Sequence, residues 1–155
     1  RTAVERRDGL VGNVAGGMER VAALDYCDGS EIVSRQRTKE MLIEHPEIRC
    51  MVGLNESSAL GVANAIRDLG LEGKVGLIAC DSSEKQIQFM EQGTIQAFVI
   101  QNPFNMGYLS VSNTVSILQG RTVPEVVNTD SVIIKKEDLY KKENQKLMFP
   151  FTSVE

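Results

Sequence analysis

One pattern, repeated along the chain, constrains the fold most: a short apolar run, an abrupt polar residue or two, then a helix. Its clearest instance is Cys50-Met51-Val52-Gly53 followed by LNESSALGVANAIRDLG. The four leading residues read as a buried strand, which Asn55-Glu56-Ser57-Ser58 breaks off. Leu60, Ala63, Ile66 and Leu69 then fall on one helical face, and Gly70 suits the left-handed position after a helix end. The same order recurs where VGLIA (75–79) meets Cys80-Asp81-Ser82, and where the strand expected over 95–100 meets Gln101-Asn102-Pro103. Strands alternating with helices predict an α/β fold, a three-layer α/β/α arrangement around a mostly parallel sheet. Helices over both faces would explain strands that are apolar throughout rather than alternating.

The remaining elements follow from the same signals. Residues 2–17 place Val4, Leu10, Val11 and Val14 on one helical face before Gly16-Gly17, and residues 20–26 read as a strand. Ser30 caps a helix running to Glu44, where Pro46 follows His45. A helix is expected over 58–69, a short one from Ser82 or Ser83 through Gln92, and a long one over 104–119 closed by Gly120. A strand over 131–134 and a last short helix over 137–145 complete the reading. Within 103–120, Phe104, Tyr108, Val111, Val115 and Leu118 recur at alternating four- and three-residue spacings, an apolar stripe.

Bulk properties exclude several function classes. The 155 residues amount to about one domain, with 42% apolar and 25% charged residues, a globular composition. A net charge of −4 with scattered Lys and Arg leaves no basic footprint for nucleic acid. No apolar run reaches the length of a membrane-spanning helix. Cys27, Cys50 and Cys80 fit no zinc spacing, and their odd number leaves at least one thiol unpaired. His45 is the single histidine and has no metal-ligating neighbours in sequence. No nucleophile elbow, phosphate loop or Gly-x-Gly-x-x-Gly follows a strand, so no enzyme, cofactor or metal is expected. The opening RTAVERRDGL carries no Met, and the chain is expected to be a piece of something longer.

In open α/β sheets ligands sit beyond the carboxyl ends of the strands. Three strand ends there carry an amide or a carboxylate: Asn55, Asp81 and Gln101. An ionised Asp accepts hydrogen bonds from two hydroxyls, and Asn and Gln each offer both a donor and an acceptor. That inventory suits a polyhydroxylated small molecule. The competing reading makes all three helix caps or turn residues, with Asp81-Ser82-Ser83-Glu84 as a capping box.

Taken together, ERRDGL, EHPEI, LNESSALGVANAIRDLG, VGLIACDSS, EQGTIQAFVIQNPFNMGYLSV and ILQGRTVP, in this order, resemble the C-terminal part of type I periplasmic (sugar) binding proteins. That superfamily includes ribose-binding-like proteins and the effector domains of LacI-type regulators. The resemblance implies two hinged lobes with a sugar clamped between them. It matches Arg6 to an arginine that donates to sugar oxygens, Asn55 to the asparagine of an N-D-x-x-A-L-G motif, and Asp81 to the aspartate of G-F-D. Gln101 matches the glutamine of Q-x-P-x-x-M-G at a hinge crossing. Glu56 replaces the usual acid after Asn55, Leu10 replaces a Phe, and Cys80 stands where an aromatic often packs on the sugar. A second commonly aromatic position is missing near Asp28-Gly29-Ser30, with Tyr26 close by.

The implied organisation is a ligand-binding lobe over 1–102 lacking its first strand, a hinge crossing and helix over 103–128, and a return strand and tail over 129–155. The helix would pack on an N-terminal lobe that this sequence does not contain. Its stripe is then expected to associate with another copy or fold back over the sheet. The implied function is non-catalytic binding of a sugar-like solute outside the cytoplasm, delivered to the membrane permease of an ABC transporter or to a sensor. The alternative is a cytoplasmic LacI-type effector domain, towards which three unpaired cysteines lean.

Overall fold

A computed structural model describes residues 2–13 and 23–149. Among these described residues, six helices and four strands follow in chain order: α1 (Thr2–Asn13), α2 (Glu31–Glu44), β1 (Cys50–Gly53), α3 (Glu56–Asp68), β2 (Gly76–Cys80), α4 (Glu84–Glu91), β3 (Ala97–Gln101), α5 (Pro103–Leu118), β4 (Ser131–Lys135) and α6 (Lys142–Met148). A 3-10 turn, Lys136–Asp138, separates β4 from α6. The strands lie in the order β1-β2-β3-β4. The first three are parallel and β4 runs antiparallel beside β3, so the sheet is mostly parallel, as the alternation of elements implies.

Helix starts are set by side-chain caps. Ser30 Oγ accepts from Val33 N at the start of α2, Asn55 Oδ1 from Ser58 N at α3, and Ser83 Oγ from Gln86 N at α4. Asn102 caps α5, with Pro103 in the first turn where its missing N–H costs nothing. Gly70 and Gly120 take φ +62° and +73° just beyond α3 and α5, the left-handed conformation that lets a helix end sharply.

The core lies on one face of the sheet. Leu77, Ala79, Phe98, Ile100 and Ile134 point to it from three strands, and Leu60, Ala63 and Ile66 of α3 with Phe89 and Met90 of α4 close over them. Fully burying a large apolar side chain is worth about 1.5–3 kcal/mol, so this layer dominates the stability. Strand β1 meets α3 at Gly53, where an added Cβ would lie 2.5 Å from Ala59 Cα. Helix α2 packs along α3 through Gly61, where a Cβ would collide with the Ser34 side chain at 2.4 Å. Ser34 Oγ donates to Ser58 O at 2.9 Å across the same contact.

Several elements differ from the sequence reading. The second face of the sheet is only partly covered: Ile78 and Val99 are half-buried and Ile133 is 65% exposed. Strands β2 and β3 therefore alternate in burial instead of being sealed on both sides. Helix α1 is described over Thr2–Asn13, where Val4 and Val11 on its expected inward face are exposed; Val14, Gly16 and Gly17 lie outside the described residues. Of the strand expected over 20–26, residues 23–26 form no strand and 20–22 lie outside the described residues. Among the described residues β1 is an edge of the sheet. The helix expected over 137–145 divides into the 3-10 turn and α6.

Candidate functional site

The carboxyl ends of the three parallel strands open on one side of the sheet. Gly53 pairs with Ala79, so Asn55 and Asp81, each two residues further on, stand at the same level on neighbouring strands. Ala79 pairs with Phe98, which puts Gln101 one residue beyond that level on the third strand. Neighbouring strands are about 4.8 Å apart, close enough for one small molecule to meet all three.

Arg6 crosses to this edge from α1. Its Nη1 donates to Leu54 O at 2.5 Å and lies 3.8 Å from Asp81 Oδ2, tying the end of β1 to the end of β2. A guanidinium has five N–H donors in a rigid fork, so these contacts leave donors over. The Arg6 side chain is 22% exposed and that of Asp81 41%, a partly covered cation beside a more open carboxylate.

Of the competing reading, the cap holds for one of the three strand ends and the turn for another, since Asp81 stands in the bend between β2 and α4. Asn55 does cap α3: its Oδ1 accepts from Ser58 N at 2.8 Å, and Ser58 Oγ receives the Asn55 N–H at 3.1 Å in return. The Asn55 amide nitrogen is not used in that box. Asp81 caps nothing, because the box at α4 is built by Ser83 and Gln86. Gln101 caps nothing either: it is the last residue of β3, paired with Ser131, and Asn102 takes the cap of α5. Asp81 also adopts φ +67°, an uncommon conformation for a residue with a side chain.

Burial acts on the thiols of two cysteines. Cys80 is buried beside Asp81, and burial raises its pKa more than the neighbouring Arg6 charge lowers it. Burial likewise pushes the Cys50 thiol up. All three cysteines are free, and among the described residues no group of His, Cys, Asp or Glu is arranged to hold a metal ion.

Two further residues escape a reading by strand ends alone. Tyr26 leads into the start of α2, and its hydroxyl receives a hydrogen bond from Arg7 Nη1 at 2.7 Å. Arg7 follows Arg6 on α1, so this bond ties the Tyr26 segment to the helix that carries Arg6. The other is Gln86, fully buried in α4 behind Asp81. Two depressions of about 500 Å³ and 490 Å³ lie nearby, one touching Glu56, Ser83 and Glu84, the other Asn102, Phe104 and Val132. Neither takes in Arg6, Asn55, Asp81 or Gln101.

The chain as a whole has known relatives. Residues 1–122 match the family described as periplasmic binding protein domain. The D-allose-binding periplasmic protein of Escherichia coli K12 is 26% identical over 121 residues, covering 74% of this chain and 39% of that protein. A sugar transporter from Clostridium phytofermentans superposes with a TM-score of 0.76 at 37% identity, over 86% of this chain and 47% of the other. A carbohydrate transporter solute-binding protein from Agrobacterium radiobacter, solved with D-arabinose, gives a TM-score of 0.86 at 26% identity, over 94% and 50%. The chain spans less than half the length of the curated relatives it matches. With this match over most of its length and an open, mostly parallel α/β sheet in common, the chain belongs to the periplasmic binding protein domain family.

Proposed function

We propose that this chain is the C-terminal lobe of an extracytoplasmic solute-binding protein that captures a sugar or a similar polyol for an ABC transporter. The observation that carries the reading is the strand-end set itself. Asp81 and Gln101 stand at the mouth of the sheet without serving as caps, and Arg6 reaches the same place from another element. Asp81 supplies a charged acceptor for hydroxyls, Arg6 spare donors, and Asn55 and Gln101 a donor or acceptor as the ligand requires. Tyr26 adds an aromatic face of the kind that packs on the C–H patches of a sugar ring. The site binds and does not catalyse.

In this reading residues 1–102 form the lobe, 103–128 cross the hinge and present α5 to a second lobe, and 129–155 return to the sheet. The site is open in this chain, and the second lobe supplies its enclosure. Ligand then stabilises the closed pair in proportion to its differential affinity for that state. The permease or a sensor is the downstream partner. An effector domain of a regulator would use the same lobe, but the relatives named above are transport proteins, which favours transport. The test is calorimetric titration of the two-lobed protein carrying this chain with D-allose, D-ribose, D-arabinose and a non-sugar control. Tight binding of one sugar supports the reading, and no binding by any of them contradicts it.

A further inference from the structure

Among the described residues, Gln86 is the one buried side-chain amide behind the strand-end set, and its bonds bracket Asp81. It is 0% exposed. Its Nε2 donates to Cys80 O at 3.0 Å, immediately before Asp81, and its Oε1 accepts from Ser83 N at 2.9 Å, two residues after it. The Asp81 N–H itself donates to Val99 O at 3.0 Å on β3. Asp81 thus sits at φ +67° with the backbone on both sides of it tied down. A non-glycine residue persists in that conformation only where its surroundings over-determine it. A capping box needs only the Oε1 bond; the second bond, to Cys80 O, reaches back past Asp81 and is not required to start α4.

We propose that Gln86 is a positioning residue: it holds the Cys80–Ser83 turn so that the Asp81 carboxylate faces the mouth of the sheet beside Arg6. The affinity part of this proposal rests on the sugar-binding reading above; the conformational part does not. Gln86 touches no ligand, and its effect reaches the site only through Asp81. Replacing it with Met keeps the length and removes both bonds, leaving Cys80 O without its partner in a buried place and Ser83 N without its partner in a partly buried one. Gln86→Glu keeps the acceptor for Ser83 N but, when ionised, cannot donate to Cys80 O.

The deciding measurement is made on the 155-residue chain without sugar. Asp81 backbone Cα and Cβ shifts and its amide coupling are recorded by NMR in wild type, Gln86→Met, Gln86→Glu and Met90→Ala. Met90 is buried on the same helix, so its truncation loosens the core without touching the turn. The expected result is that Asp81 leaves its left-handed signature in Gln86→Met, shifts partly in Gln86→Glu at neutral pH, and keeps it in Met90→Ala. Should Gln86→Met fail to fold, Gln86→Glu carries the comparison. An Asp81 signature equal to wild type in both Gln86 variants, or lost equally in Met90→Ala, overturns the proposal. D-allose is then titrated against the two-lobed protein, where Gln86→Met should weaken binding about tenfold, the equivalent of one hydrogen bond to a charged group. Met90→Ala should leave affinity within about twofold of wild type. An altered Asp81 signature with unchanged affinity overturns the affinity part. An altered signature with no sugar binding by wild type leaves the positioning supported and contradicts the sugar reading instead.

Discussion

Gly53 and Ala59 meet so closely that a Cβ on the glycine would lie 2.5 Å from the Cα of the alanine. The contact joins the end of β1 to the first turn of α3, and Asn55 lies between them. Backbone cannot yield as a flexible side chain can. Gly53→Ala should therefore cost about 1–3 kcal/mol, as overpacking of a well-filled core does. It should also push α3 away from the sheet and displace Asn55. Urea unfolding of the chain checks the first effect, and the amide shift of Asn55 the second.

Helix α5 has no buried residue. Phe104, Tyr108, Val111, Val115 and Leu118 are 62, 64, 66, 43 and 81% exposed, so the stripe is not folded back over the sheet. An exposed apolar patch of this length favours association. The isolated chain should self-associate at low micromolar concentration in sedimentation. Val111→Asp with Val115→Asp should restore the monomer and leave unfolding stability within about 0.5 kcal/mol, as substitutions at exposed positions do. A wild-type monomer unaffected by the pair would refute the prediction.

Asp68 at the end of α3 is gripped from α2 by Arg35, with Nε and Nη2 each at 2.6 Å, and by Lys39. Hydrogen bonds from Arg35 and then Lys39 hold its carboxyl well below the ordinary value of 3.8. A carboxyl that binds its proton more weakly in the folded state adds stability above the unfolded pKa, and loses it as pH falls towards the folded one. Asp68→Asn should thus melt slightly below wild type at neutral pH, with the gap closing as pH drops below 3.8. The gap is small because the pair is exposed. Melting curves across the acid range test the sign.

How much of this could be read from sequence depends on the range of the interaction. The caps at Ser30 and Ser83 and the stops at Gly70 and Gly120 are local, and the residues that make them are visible in the chain. The strand ends were legible for the same reason: the change from apolar to polar marks where each strand leaves the core. Gln101 was placed just past its strand and belongs to it, because β4 pairs as far as Ser131 and extends the ladder. What sequence did not show is non-local. The strand expected over 20–26 needs a neighbour that periodicity cannot provide. Gln86 lies within the short helix expected through Gln92, and nothing local marks its reach to Cys80 O. The half-covered sheet face and the open α5 stripe depend on what other segments do not cover.

The central claim is that Asp81, Asn55 and Gln101 form one sugar-binding edge with Arg6. Within the two-lobed protein, Asp81→Ala should weaken binding most, by roughly 2–4 kcal/mol, because hydroxyl donors lose a charged acceptor in a closed cleft. Asn55→Ala and Gln101→Ala should cost less. Asn55 is the harder case, since its loss also removes the cap of α3, at about 1 kcal/mol of stability. The isolated 155-residue chain should bind only at millimolar concentration or worse, because enclosure supplies most of the affinity.

Calorimetry of the Asp81→Ala variant against wild type, with the tightest-binding sugar of the panel, is the most direct test. The account predicts that affinity falls at least about thirtyfold, the lower end of that energy range, while the melting temperature stays near that of wild type. Wild-type affinity in Asp81→Ala would contradict it.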